Sequence, residues 1–326
     1  MLCIAHSQTD PYFNLAAEEY LLRNFSENCF MLWRNENSII VGKHQNALNE
    51  INMDYVKKNN IRVARRISGG GTVFHDMGNL NFTFIMNGHE GHLVDFRKYT
   101  KPIIEVLRKL LVDASFHGRN DLIVNGKKIS GNAEHVYKKR VLHHGTLLFS
   151  SALDDLNLAL KTDPCKFRSK AVKSIRSKVT NIKEYLKTDL DVIQFRNLIL
   201  EHVLKKFPGA SMYELTDQDI GHITKLKNEK YSTWEWNFGY SPDYGMEKTF
   251  SANGGFIKIN LNVSGGIIQK FKITGDFFNN NDVSGLEKSI PGTKHEEYEL
   301  LRVLKSVSLP ECFAGIPAEE FIKGMF

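Results

Sequence analysis

Arg65-Arg66-Ile67-Ser68-Gly69-Gly70-Gly71-Thr72-Val73-Phe74-His75-Asp76 is the stretch on which the reading of this chain turns. An alternating run, Ile61-Arg62-Val63-Ala64, precedes it and another, Asn81-Phe82-Thr83-Phe84-Ile85, follows, so it reads as strand, glycine turn, strand. Three consecutive glycines permit positive φ and let a ligand approach the backbone closely. Successive N–H groups in such a turn form an anion-binding concavity. Two arginines stand at its entrance and a histidine at its exit. The plainer alternative is a hairpin turn whose glycines serve tightness alone. The stretch is not a P-loop, which needs Gly-Lys-Ser/Thr opening a helix. Nor does it match the Gly-x-Gly-x-x-Gly turn of a dinucleotide-binding fold.

A second stretch, Gly118-Arg119-Asn120-Asp121-Leu122-Ile123-Val124-Asn125-Gly126-Lys127-Lys128-Ile129-Ser130-Gly131, contains Asn-Gly, the strongest short hairpin signal. A two-residue turn sets Val124 opposite Lys127, Ile123 opposite Lys128 and Asp121 opposite Ser130. Alternation then puts Asp121, Ile123, Lys128 and Ser130 on one face. The plainer alternative is a solvated ion pair. Leu142-His143-His144-Gly145-Thr146-Leu147-Leu148-Phe149 reads as a strand with its two histidines on opposite faces. No acidic or cysteine partner stands near them in sequence, so they are expected to be hydrogen-bonding or core residues rather than metal ligands.

Towards the N-terminus, Asp10-Pro11 caps and opens a helix reaching to about Phe25. Cys29 to Trp33 and Ser38 to Val41 read as a strand pair around Asn35-Glu36-Asn37. Trp33 is either core or pocket lining. Met53 to Asn59 and Ile103 to Leu111 read as helices. Thr162 to Asn181 carries six cations and one acid with no apolar period, which reads as a loop, either solvated or a mobile flap over a phosphate. Val192 to Phe207 and Asp217 to Lys227 read as helices. A boundary is expected at Asp243-Tyr244-Gly245, giving residues 1–243 and 244–326. The second part holds a hairpin across Ser264-Gly265-Gly266 and two helices, and no cluster of catalytic type.

The net charge of +6 over 326 residues is mild and suits anionic small molecules as well as nucleic acid. No RNA-binding signature or zinc spacing appears. Four scattered cysteines suggest neither a disulfide framework nor a metal site. No stretch has the ~18 apolar residues of a membrane helix, and Met1 to His6 lacks signal-peptide character. A cytoplasmic protein with no membrane or nucleic-acid partner is the expectation. Clustered cations, backbone donors, one lysine and one carboxylate suit chemistry at a phosphate, where the protein positions two anions and neutralises charge.

Taken in order, these motifs resemble the lipoate–protein ligases. The resemblance rests on the glycine stretch, Gly118 to Asp121, Lys128-Ile129-Ser130-Gly131-Asn132-Ala133 and His143-His144-Gly145-Thr146. Asp10 to Ala16, Leu32 to Asn35, Ser174-Ile175-Arg176-Ser177-Lys178-Val179-Thr180-Asn181 and Trp234 to Gly239 extend it from near the N-terminus to the small C-terminal domain. It implies an α+β fold, with an antiparallel-sheet catalytic domain of the biotin/lipoate ligase type and a small α+β accessory domain. It implies activation of lipoate by ATP with Mg²⁺, then transfer of the lipoyl group to a lysine of an apo lipoyl domain. The implied acceptors are the acyltransferase subunits of 2-oxoacid dehydrogenases and the glycine cleavage H protein, and the implied state is a monomer.

By the same resemblance Lys128 is catalytic, contacting carboxylate and α-phosphate. Leu15, Ala17, Glu18, Trp33, Arg66, Ser68, His75, Lys128, Leu142 and His144 line the lipoate site. Arg66, Gly71, Thr72, Val73, Phe74, Asn120, Asp121, Lys128, Ser174 and Arg176 contact the adenylate, with Asp121 the Mg²⁺ candidate. The basic segment matches the adenylate-binding loop, and Ala171 departs from the glycine some members carry there. Two alternatives remain. One is an ATP-independent octanoyl or lipoyl transferase using a thioester on Cys165, which the retained loop cations disfavour. The other is a non-catalytic binding module. Biotin ligation fits less well, because the glycine stretch lacks the Gly-Arg-Gly-Arg pattern.

Overall fold

The computed structural model describes residues 1–88, 93–160, 166–174, 177–252, 255–276, 283–307 and 317–326. The chain separates into two compact units. The first comprises residues 1–43, 56–160 and 174–233; the second comprises 44–55, 161–173 and 234–326. The second unit is therefore not a single C-terminal block but gathers two earlier segments of the chain.

In the first unit the chain runs β1 (Leu2–Ala5), α1 (Pro11–Asn24), β2 (Cys29–Trp33) and β3 (Ser38–Val41). In the second unit α2 (Ala47–Glu50) follows, and α3 (Met53–Lys58) leads back. The first unit resumes with β4 (Arg62–Arg65), β5 (Val73–His75), β6 (Asn79–Asn87), α4 (Phe96–Lys109), β7 (Ser115–His117), β8 (Asp121–Val124), β9 (Lys127–Tyr137), β10 (Arg140–Leu148) and α5 (Leu153–Ala159). After β11 (Lys166–Ser169) of the second unit come α6 (Val192–Lys206), β12 (Ser211–Met212) and α7 (Asp217–Leu226). Asp10 caps α1 as expected, its carboxylate accepting from Tyr12 N at 3.0 Å. Asp191 caps α6 in a capping box with Gln194.

Among the described residues the larger sheet runs β12-β1-β2-β6-β10-β9-β8-β7, parallel where β1 meets β2 and β12 and antiparallel elsewhere. Its pleat gives it two different faces. Leu80, Phe82 and Phe84 of β6 point with Val141 and Leu147 of β10 into a core closed by Ile103, Val106 and Leu107 of α4 and Phe195, Ile199 and Val203 of α6. The intervening residues, Thr83 and His144 among them, point to the opposite face, where α1 packs. The histidines thus fall on opposite faces, as alternation requires.

Two expected pairings differ. β2 and β3 do not pair; β2 joins the large sheet, while β3 is the centre of a separate three-stranded sheet, β4-β3-β5. The intervening turn is held by α1 and its approach: Glu36 N donates to Thr9 O at 2.9 Å, and Asn14 Nδ2 donates to Asn35 Oδ1 at 2.9 Å. The glycine stretch is likewise no hairpin. It carries the chain from β4, parallel to β3, to β5 on the other side of β3, antiparallel to it. A tight turn between adjacent strands is thereby excluded as the reason for its glycines.

In the second unit β11 pairs with β13 (Tyr244–Ala252), followed by β14 (Gly255–Ser264) and β15 (Ile267–Asp276), all antiparallel. The β14–β15 turn has Gly265 and Gly266 at φ 56° and 76°, the type I′ signature. α8 (Ser284–Ser289), α9 (Glu297–Ser306) and α10 (Ala318–Lys323) complete a core around Ile257, Ile259, Leu300, Leu304 and Phe321. Part of the basic segment is therefore strand: Phe167 packs against this core, with its ring 5.7 Å from that of Tyr244.

Between β5 and β6 the turn at Gly78 is closed by backbone. Phe149 N and Ser150 N both donate to Gly78 O, and a Cβ on Gly78 would lie 2.2 Å from Ser150 O. Because main chain cannot step aside, Gly78→Ala should lower unfolding free energy by about 1–3 kcal/mol, measured by urea denaturation. Ser150→Ala, which leaves the carbonyl in place, should not rescue it.

Candidate functional site

The outer face of the large sheet carries one continuous chain of buried polar groups. Arg66 Nε donates to Ser68 Oγ at 3.1 Å, and Ser68 Oγ lies 2.6 Å from His144 Nε2. His144 Nδ1 lies 2.9 and 3.1 Å from the Glu18 carboxylate oxygens. Thr83 Oγ1 donates to Glu18 Oε1 at 2.6 Å and accepts from Trp33 Nε1 at 2.9 Å. The directions are mutually consistent: His144 Nδ1–H donates to the Glu18 carboxylate, and the Ser68 hydroxyl donates to His144 Nε2. Glu18, brought by α1 from 126 residues away, is the carboxylate partner absent from the sequence around His144. Trp33 is buried and belongs to this network, and Leu15, Ala17 and Leu142 are buried apolar residues.

Burial lowers the Arg66 pKa to about 10, and the Glu18 charge opposes the shift. The guanidinium also donates to Ile40 O at 3.1 Å, Gly69 O at 2.8 Å and Gly71 O at 2.7 Å. Gly70 takes φ 95°, and a Cβ there would sit 3.0 Å from Arg66 Nη2. The glycines thus turn carbonyls towards Arg66. Among the described residues, the N–H groups of Gly69, Gly70 and Gly71 donate to no protein acceptor, which leaves them available to an anion. Thr72 N donates to Ser174 Oγ at 2.9 Å. Val73 and Phe74 continue into β5.

His75 ends β5. Its Nδ1 lies 3.0 Å from Asn35 Nδ2 and so accepts, which puts the proton on Nε2. That Nε2 is buried and has no partner among the described residues, which makes it a donor for a ligand. Burial, then the Arg66 charge and the neighbouring His144, depress its pKa to about 3.

The Asn125-Gly126 turn is as expected, with φ 48° and 73°. Lys128 Nζ lies 2.8 Å from Asp121 Oδ1, both side chains about a quarter exposed (25% and 24%). The register shifts beyond Lys128, however. Ile129 is an extra residue on β9, so Ser130 faces Leu122 and Asp121 faces Gly131. Ser130 is fully buried towards the core and leaves the group expected on the outer face. The bulge exists because Ile129 and Leu122 both enter the core. Lys128 N donates to Lys178 O at 2.8 Å, and Thr180 N to Lys128 O at 3.0 Å. Residues 174 and 177–180 thus run from the glycine stretch to Lys128. Asn120 is bound through Asn132, whose N and Nδ2 donate to Asn120 O at 3.0 and 2.9 Å. Arg176 and Cys165 lie outside the described residues. Thr83, Asn35 and Asn132 support the site although the sequence alone assigns them no role there; the only signal of Thr83 and Asn132 is their phase on strands, and Asn35 lies in the turn after β2.

The first unit has the α+β fold of a lipoate–protein ligase catalytic domain. Residues 10–204 match the family model "Lipoyl protein ligase A/B catalytic domain", and residues 241–325 match "Bacterial lipoate protein ligase C-terminus". The chain belongs to the lipoate–protein ligase family and is an enzyme of that class. It is 43% identical over 319 residues to Lipoate–protein ligase 1 of Staphylococcus aureus, covering 97% of each chain. A bipartite lipoate protein ligase from Thermoplasma acidophilum, solved in a study with its E2 lipoyl domain, superposes at a TM-score of 0.63. It is 27% identical, over 73% of this chain and 96% of that one. A lipoate-protein ligase A bound with ATP superposes equally well, with a TM-score of 0.63 and 27% identity over 73% and 98%. The α+β fold class stands.

Because folded His75 stays neutral down to about pH 3, the unfolded chain binds the extra proton between pH 6.5 and 3. Stability is full above the unfolded pKa and falls as pH drops through that window. His75→Gln should therefore lose about 1–2 kcal/mol less than the unsubstituted protein between pH 7 and pH 5 in urea unfolding. An equal loss would mean that His75 protonates in place.

Proposed function

We propose that this chain joins lipoate to ATP and then to protein lysine, with the site built on the outer face of the large sheet. The observation that carries this reading is the Lys128–Asp121 pair on the same sheet face as the Glu18–His144–Ser68–Arg66 chain, which leads into the glycine stretch. In the first step a lipoate carboxylate oxygen attacks the α-phosphorus of ATP, forming lipoyl-AMP and releasing pyrophosphate. Both partners are anionic, so the enzyme's work is approach and charge neutralisation. Lys128 stands between carboxylate and α-phosphate. The glycine N–H groups, Thr72, Val73, Phe74, Asn120, Ser174 and Arg176 hold the adenylate. The lipoyl tail lies along Leu15, Ala17, Trp33 and Leu142, with His75 and Arg66 at its polar side.

In the second step an acceptor lysine amine attacks the acyl carbon, AMP leaves, and an amide forms. The acceptors in this reading are apo lipoyl domains of 2-oxoacid dehydrogenase acyltransferase subunits and the glycine cleavage H protein. In this reading the enzyme acts as a monomer. In this reading residues 1–243 carry the catalytic role and 244–326 the accessory one, with residues 44–55, 161–173 and 234–243 belonging by structure to the second compact unit. Asp121 is the Mg²⁺ candidate. Mg²⁺ at nucleotide sites uses one or two carboxylates plus substrate phosphates, which suits a lone carboxylate. Among the described residues no group of three metal-ligating side chains competes with it. Bound there, the ion would offset phosphate charge.

The test is ATP- and lipoate-dependent mass gain on an apo lipoyl domain. Lys128→Ala should slow lipoyl-AMP formation by about two to three orders of magnitude, the scale of deleting a main electrostatic stabiliser. A near-normal rate would remove Lys128 from the mechanism. Cys165→Ser should leave ATP-dependent lipoylation almost intact. A lipoyl thioester on Cys165, with transfer that needs no ATP, would move the chain to the transferase class.

A further inference from the structure

The core face of the same strands carries a second polar chain, with no part in the chemistry described above. β9 and β10 set His143 directly opposite Glu134, and Gly145 directly opposite Asn132. His143 Nδ1 lies 2.9 Å from Glu134 Oε1, and its Nε2 lies 3.3 Å from Asn132 Oδ1. Both members of the acid–imidazole pair are buried, with side-chain exposures of 0% and 3%. The rings of Phe82, Phe96 and Tyr99 surround the imidazole.

The donors and acceptors settle the protons. Asn132 Nδ2 is committed to Asn120 O at 2.9 Å and Ser130 Oγ at 3.2 Å. Its Oδ1 therefore faces His143 and accepts, so Nε2 carries a proton. One further proton lies between Nδ1 and the Glu134 carboxyl. Whichever atom holds it, the pair is neutral overall, which is the state a dry site tolerates. Burial pushes Glu134 up to about 7 and His143 well below its usual value, which favours the proton on Glu134.

Asn132 in turn grips Asn120. Besides the two bonds to Asn120 O, Asn120 Nδ2 donates to Asn132 O. Asn120 precedes Asp121, and Asp121 holds Lys128. The space for this arrangement is reserved by Gly145, where a Cβ would lie 2.1 Å from Asn132 Oδ1. We propose that Glu134 and His143 are positioning residues for the activation step: their shared proton locks the Asn132 amide, which clamps Asn120 and so fixes the Asp121–Lys128 pair. The inference rests on the role given to Lys128 under the proposed function.

The experiment follows the two half-reactions separately in the full chain. His143→Leu removes the donor to Asn132 at similar volume. It should lower kcat for lipoyl-AMP formation about 10- to 100-fold, the range seen when an orienting partner is lost. KM for lipoate and transfer from supplied lipoyl-AMP should change less than about threefold. Glu134→Gln, made alone, should keep most of the unsubstituted rate, because a carboxamide N–H can donate to Nδ1 as the shared proton does. A merely structural role would depress both half-reactions together and make Glu134→Gln as damaging as Glu134→Leu. Wild-type lipoyl-AMP formation by folded His143→Leu would overturn the proposal. Should that variant not fold, the unsubstituted protein decides: ¹⁵N-resolved histidine spectra must show His143 protonated at Nε2, and an unprotonated Nε2 overturns the scheme. Absence of lipoyl-AMP formation by the unsubstituted protein would instead sink the ligase reading, while the Nε2 spectrum still judges the pairing.

Discussion

A guanidinium taken out of water loses several kcal/mol of hydration unless its donors and its charge are answered. Arg66 is 6% exposed, and much of the first unit is arranged as that answer. Ser68, Ile40 O, Gly69 O and Gly71 O take its protons. The Glu18 carboxylate supplies the opposing charge. These groups come from three parts of the architecture: Ile40 from the strand at the centre of the small sheet, Ser68, Gly69 and Gly71 from the glycine crossing, and Glu18 from the first long helix. To satisfy Arg66 is therefore to fix where these parts stand. It also explains why position 70 takes glycine, since Gly70 needs positive φ and has a guanidinium nitrogen 3.0 Å from where its Cβ would be.

The large sheet separates two kinds of polar network by pleat alone. Adjacent residues of β10, His143 and His144, each meet a carboxylate, but on opposite faces. The outer chain runs through hydroxyls and a cation towards the glycine crossing. The inner chain runs through amides towards Asn120. Both end at segments that flank Lys128, one from the glycine stretch by way of residues 174 and 177–180, the other through Asp121. A lysine on a hairpin would otherwise be among the less constrained side chains in the fold. Here its backbone is bonded on the far side by Lys178 and Thr180, and its ion-pair partner is held from behind.

Much of this was legible before any coordinates. The Asn-Gly turn gave its own geometry, Asp10 and Asp191 marked helix starts, and alternation separated the two histidines. Those signals are local, and local physics decides them. What escaped depends on distant partners. Nothing near His144 announces Glu18, and nothing in the glycine stretch says that its two flanking strands share β3 rather than each other. The Ile129 bulge escaped because a two-residue turn predicts a perfect ladder, whereas the core claims Ile129 and Leu122 together and displaces Ser130 inward. The basic segment escaped in part because four residues, Lys166–Ser169, are too short to show a period, although Phe167 already marked the buried side.

The two cations of the site differ in a way that bears on what each can do. Arg66 is buried, and three of its bonds go to main-chain carbonyls, so an incoming anion cannot easily win it away. Lys128 is a quarter exposed and pairs with a carboxylate that is equally open to water. An ion pair in that setting is worth about 1 kcal/mol or less, a barrier that a phosphate and a carboxylate arriving together exceed. Under the proposed function, Asp121 presents Lys128 until the reacting groups arrive and take it over, after which Asp121, still held through Asn120, is free for a metal ion, while Arg66 stays where it is. The fold thus keeps one cation as a fixed support and the other as a responsive one, and the difference lies in burial and partner type rather than in charge.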